Sequence, residues 1–149
     1  MFKIRESCRD YFKPIRKQRN LTDFDLYYFC LVLGLKKRQH SEPSMAGGSV
    51  SVFTTNFTTE YVPTKELIIS LVVCAEAERH GLEMTEKKSV VQLFERLTDG
   101  DSITRLSSAG AEAMNSYASG GFDFLRENLQ ARPEDFSQFL VAYAELLSS

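Results

Sequence analysis

Only two histidines and three cysteines occur in the 149 residues. His40 lies in a polar stretch and His80 sits beside Gly81, and neither has a cysteine or a second histidine at metal-ligand spacing. No His or Lys base stands beside a Ser or Cys in a pattern that would activate a nucleophile. Cys8, Cys30 and Cys74 are odd in number, widely spaced and set in apolar periodic stretches. They read as reduced and buried, with a redox role as the alternative. Long hydrophobic runs are also missing: the longest, Leu26 to Leu33, is too short to span a bilayer. The opening MFKIRESCRD lacks the apolar segment and cleavage site of a signal peptide. A cytoplasmic protein without membrane contact is expected. Gly120-Gly121 has no GxGxxG or GxxxxGK[ST] pattern around it, so close helix packing is the reading rather than phosphate binding. Asp99-Gly100-Asp101-Ser102 starts like a calcium loop but lacks the third acidic position and the distal glutamate, and reads as a turn. No catalytic residue, cofactor or metal is expected, and the chain reads as non-enzymatic.

What the sequence does have is a divided charge. Residues 1–40 carry ten Lys or Arg against four Asp or Glu, and residues 41–149 carry eight against sixteen. The overall −2 thus conceals a head of +6 on a body of −8. Such asymmetry points to an acidic partner or nucleic acid and is silent about fold.

The fold class expected is mainly α. A short N-terminal ribbon precedes two helices, forming a ribbon-helix-helix-like head (1–39). An extended arm or loop (40–64) follows, then an acidic helical body (65–149), all within a single domain. Phe2-Lys3-Ile4-Arg5 alternates with the period of a strand that buries one face. Cys8, Tyr11, Phe12 and Ile15 form a helical stripe with Ser7 as its cap. Pro14 should kink or break that helix, because it removes a hydrogen bond at a cost of about 3 kcal/mol. Thr22-Asp23-Phe24-Asp25 opens a second helix that is apolar almost all round, with Gly34 near its end and Lys36, Lys37 and Arg38 after it. Val50–Thr55 favours an extended strand or arm, one that a partner could order. From Thr64 the chain reads as helical throughout. Thr64 caps a helix closed by Gly81, and Thr85 opens one closed near Asp99-Gly100. Ser107 or Ser108 opens another that Gly120-Gly121 breaks or bends, and Pro133 is the first residue of the last.

In a ribbon-helix-helix arrangement the strand pairs with its copy from a second subunit, and outward side chains of the ribbon enter the major groove. Phe2 and Ile4 would face the core, with Lys3 and Arg5 outward; the alternative is that these two only keep an edge strand soluble. The helices would be roughly 7–19 and 23–36. Phosphate contact by Arg9, Lys13, Arg16, Lys17, Arg19 and the Lys36, Lys37, Arg38 cluster demands less geometry than base readout. For that cluster, complementing the helix dipole is an equal alternative.

The order of elements carries a resemblance. A strand, a basic helix and an apolar helix with a Leu-Gly-Leu end precede a loose middle, then LIISLVVCAEAERHGLE and the late MNSYASGGFDFLRENL. This resembles the DndE family, small accessory proteins of bacterial DNA phosphorothioation systems. The resemblance implies a non-enzymatic oligomer that holds duplex DNA, nicked DNA by preference, through basic residues of its head. Carried over by position, these are Arg9, Lys13, Arg16, Lys17 and Arg19. Pro14 and the acidic stretch around Glu134-Asp135 depart from the family pattern.

The function expected is a DNA-binding accessory subunit of a DNA sulfur-modification or anti-phage defence system. Its partners would be double-stranded DNA, other subunits of that complex and further copies of itself. The alternative is a protein-docking subunit of a defence complex without DNA contact.

Overall fold

The computed structural model describes residues 1–99, 102–129 and 131–149. Strand β1 (Phe2–Arg5) buries Phe2 and Ile4, as the alternation requires, and runs directly into helix α1 (Glu6–Gln18). It pairs antiparallel with β2 (Val50–Thr54) of the same chain. The Glu6 amide continues the pairing by donating to the Ser49 carbonyl at 3.0 Å. On the opposite edge the Lys3 amide donates to Asn115 Oδ1, also at 3.0 Å. Both edges of β1 are therefore engaged within the chain, and the ribbon expected between two subunits is formed by β1 and β2 instead. Ser7 is not the cap of α1: the helix begins one residue earlier, after the extended Arg5, with no side-chain cap.

By contacts the chain divides into two compact units. One comprises residues 3–53 and 115–149. It holds α1, α2 (Asp23–Lys37), the part of α5 (Ser108–Asn128) from Asn115 onward, and α6 (Phe136–Ser148). The two helices of the basic head thus share a core with the C-terminal helices: Phe12, Ile15, Leu26, Leu33, Phe122, Leu125 and Phe139 are all buried in one cluster. Burying side chains of this size contributes about 2–3 kcal/mol each. Phe12 and Phe139 meet edge to face, ring centres 5.3 Å apart. Thr22 caps α2 in a full capping box with Asp25, as the sequence pattern indicates.

Helix α1 is continuous through Pro14, so the expected break does not occur. Proline at position 14 leaves the Asp10 carbonyl without its helical donor. The Arg132 guanidinium supplies one, donating to Asp10 O and, through Nε, to Tyr11 O at 3.2 Å.

Helix α5 likewise runs unbroken past Gly120-Gly121. A β-carbon on Gly121 would lie 1.8 Å from the Cys30 carbonyl oxygen, and one on Gly34 would lie 1.9 Å from that of Tyr117. These glycines let the backbones of α2 and α5 touch, the packing role that the sequence reading gave to Gly120-Gly121. Gly34 lies near the end of α2, as read from the sequence; the helix continues to Lys37 and is closed by Arg38 in the left-handed conformation at φ 54°. Pro133 does not start α6 either. Asp135 does, its side chain accepting from the Gln138 amide at 3.0 Å.

The other unit comprises residues 1–2 and 54–114. Helix α3 (Lys65–Arg79) packs on α4 (Lys87–Leu97) and on the strand at Ser102–Leu106. Gly81, at φ 72°, ends α3 in a Schellman arrangement: Leu82 N donates to Ala77 O at 2.8 Å and Gly81 N to Glu78 O at 3.0 Å. Between α4 and α5 the sequence suggested no strand. A short antiparallel hairpin stands there, β3 (Thr98–Asp99) and β4 (Ser102–Leu106), pairing Thr98 with Leu106. Gly100 and Asp101, on which the calcium-loop reading falls, lie outside the described residues. Among the described residues no helix is long and apolar enough to cross a membrane.

Candidate nucleic-acid interface

Helix α1 carries four of the ten basic side chains of residues 1–40, Arg9, Lys13, Arg16 and Lys17, and its buried stripe fixes where they go. With Cys8, Phe12 and Ile15 inward, Arg9 and Arg16 fall two turns apart on the flank that meets the start of α2. There Asp23 takes both. Arg9 donates to it from Nη2 at 2.9 Å and from Nε at 3.2 Å, and Arg16 from Nη1 at 2.9 Å. Arg16 also donates to the Leu21 carbonyl at 3.1 Å, and Arg9 reaches Glu6 at 2.5 Å. Burial opposes ionisation of Asp23, but the hydrogen bonds from Arg9 and Arg16 outweigh it and hold the carboxyl below its usual range. Glu6 is also lowered, first by the Ser51 hydroxyl that donates to it at 2.5 Å and then by Arg9. These two arginines are fasteners between α1 and α2.

Arg5 is not outward. It is 6% exposed, donates to Asp123 at 2.7 Å and to Ser119 at 3.3 Å, and lies over the Phe122 ring. A side chain so enclosed cannot enter a DNA groove, so the base-readout role expected of Arg5 is corrected. Lys3 is half-buried beside it.

Lys13 and Lys17, one helical turn apart, are exposed and share a face of α1. Among the described residues neither is in an ion pair. Arg19, just past the helix end, is exposed and lies over the Phe136 ring, 5.2 Å from its centre. Glu134 is close by, for the Gln18 amide donates to its carbonyl at 2.7 Å.

The Lys36, Lys37, Arg38 cluster is at the far end of α2, roughly 20 Å along the helix from Asp23. Lys37 is tied to Ser149, donating to its Oγ at 3.2 Å, while the Arg38 guanidinium turns back on the Leu35 carbonyl. Lys36 is exposed. The structure therefore sets Lys13 and Lys17 on one face of α1, leaves Arg19 exposed just past its end, pairs Arg9 and Arg16 with Asp23, buries Arg5, and keeps the Lys36–Arg38 group at the far end of α2.

Sequence reasoning missed Asp23 as the neutralising group. Its signal was present, since Arg9 and Arg16 are seven residues apart and a first-turn acid opens the next helix. It also missed Asp123 and Asn115, which no local pattern marks. No protein-family model, curated protein or solved structure matches the chain.

Proposed function

We propose that this chain is a non-catalytic, DNA-binding accessory subunit that holds duplex DNA by its phosphates, within a bacterial DNA sulfur-modification or anti-phage defence system. The observation that carries the contact is the exposed pair Lys13 and Lys17 on one face of α1, with Arg19 exposed just past its end, while the Cys8, Phe12 and Ile15 stripe anchors the helix in the core. Cations on a rigid helix need little ordering on binding, and each phosphate they neutralise releases condensed counterions. The −8 of residues 41–149 favours approach of DNA by the basic side. The system, the oligomer and the nick preference rest on the resemblance to the DndE family.

Fluorescence anisotropy with intact and singly nicked duplexes across a salt series is the test. Binding that weakens steeply with salt and favours the nicked duplex supports both the contact and the system. Equal, salt-dependent binding to both keeps the contact and removes the nick preference. Absence of binding at low salt overturns the reading.

One observation favours a second reading, a docking subunit without DNA. Residues 43–59 contain no charged side chain, and among the described residues β2 has a neighbouring strand on one edge only. Such an edge accepts an added strand. Replacing Val52 with proline would block that edge, and loss of complex formation with DNA binding intact would favour docking.

A further inference from the structure

Cys8 and Cys30 are two buried free thiols whose sulfurs lie 3.8 Å apart, close enough for one to donate to the other. They come from adjacent helices and line one small pocket with Lys3, Arg5, Tyr27 and Ser119. The lining is mostly apolar, but one of its residues carries an unmet donor. Arg5 is 94% buried, yet its Nε has no hydrogen-bond partner among the described residues. An unmet donor of this kind in a buried site suits a small oxygen acceptor. The free space is about that of a single water molecule, which admits only the smallest reactants.

We propose that Cys8 and Cys30 form a dithiol site that hydrogen peroxide oxidises to a disulfide joining α1 to α2. The Cys8 sulfur attacks one peroxide oxygen, the O–O bond breaks, and the departing hydroxide takes up the thiol proton as water. The Cys30 sulfur then attacks the sulfenic sulfur and expels the second oxygen, which leaves as water with the Cys30 proton. Two thiols lose two electrons and the peroxide is reduced to two waters. Closing the bond requires the sulfurs to approach by about 1.8 Å. Cys30 suits the resolving role because its sulfur already lies against that of Cys8, where the sulfenic acid would form.

Cys74, half-buried on α3, is an internal control. The intact protein is treated with hydrogen peroxide or with bulky cumene hydroperoxide, unfolded, alkylated and mapped by mass spectrometry. Hydrogen peroxide should remove both alkylation sites at Cys8 and Cys30 and yield one cross-linked peptide pair lighter by two hydrogens, with Cys74 still alkylated. Cumene hydroperoxide should react more slowly. In Cys30→Ser the oxidised Cys8 should be trapped by dimedone present during unfolding. Cys8 and Cys30 that stay fully alkylatable while Cys74 oxidises would overturn the proposal, as would a cross-link that includes Cys74. Equal rates with both oxidants would overturn entry through the pocket.

Discussion

Arg132 donates to the main-chain oxygen of Asp10, the acceptor that Pro14 strips of its helical partner. A residue more than a hundred positions away thus completes a helix that local sequence would interrupt. Removing the guanidinium should leave that carbonyl to water. Arg132→Met is expected to cost about 1 kcal/mol by urea denaturation. The same change in a Pro14→Ala background should cost measurably less, because that background restores the backbone amide. Equal costs in the two backgrounds would separate Arg132 from Pro14.

Asp23 holds Arg9 and Arg16 together, so Asp23→Asn should destabilise the protein by about 1–2 kcal/mol at neutral pH. The folded-state carboxyl ionises below its ordinary value of 3.8, as does Glu6 below 4.5. Such groups contribute stability that is fully present above the unfolded value and fades as pH falls through the lower folded value. The gap between wild type and Asp23→Asn, read from denaturation midpoints between pH 2 and 7, should therefore narrow below about pH 4. A gap that widened with acid would contradict the pairing.

Gly121 offers a steric test. Its missing side chain lies where a β-carbon would be 1.8 Å from the Cys30 carbonyl. Gly121→Ala should lower stability by about 3 kcal/mol or prevent folding, as overpacking against backbone cannot be relieved by a rotamer change. A thermal midpoint equal to wild type would show that α2 and α5 do not touch here.

The phosphate contact has a quantitative signature. Replacing Lys13, Lys17 and Arg19 with glutamine should flatten the log–log salt dependence of duplex binding by about two to three. Replacing Arg9 and Arg16 instead should act chiefly on stability, since Asp23 already holds them. Glu134→Gln, which removes an anion beside the α1 terminus, should tighten binding at low salt. A triple variant that matches wild type at every salt would remove the patch from consideration.

The basic head illustrates how charge and geometry part company. Ten cations were countable in residues 1–40, but counting gives no indication of which have partners. Arg5 looked outward by strand alternation. It turns inward because Asp123, Ser119 and Phe122, from a helix more than a hundred residues later, enclose it.

Signals confined to a few residues were sufficient for the strand at Phe2–Arg5, the stripe of α1, the Thr22 cap with Asp25, and the Gly81 stop. Each depends on backbone and side-chain preferences that act within one or two turns. The tertiary structure alone decided the continuity of α1 through Pro14, the passage of α5 through Gly120-Gly121, the partner of β1, and the neutralisation of Arg9 and Arg16. In each case the deciding group lies on another element: Arg132, the backbone of α2, β2, and Asp23. A helix breaker or a free cation is defined by what fails to meet it. Whether something does meet it is settled by long-range packing, which the local pattern does not carry.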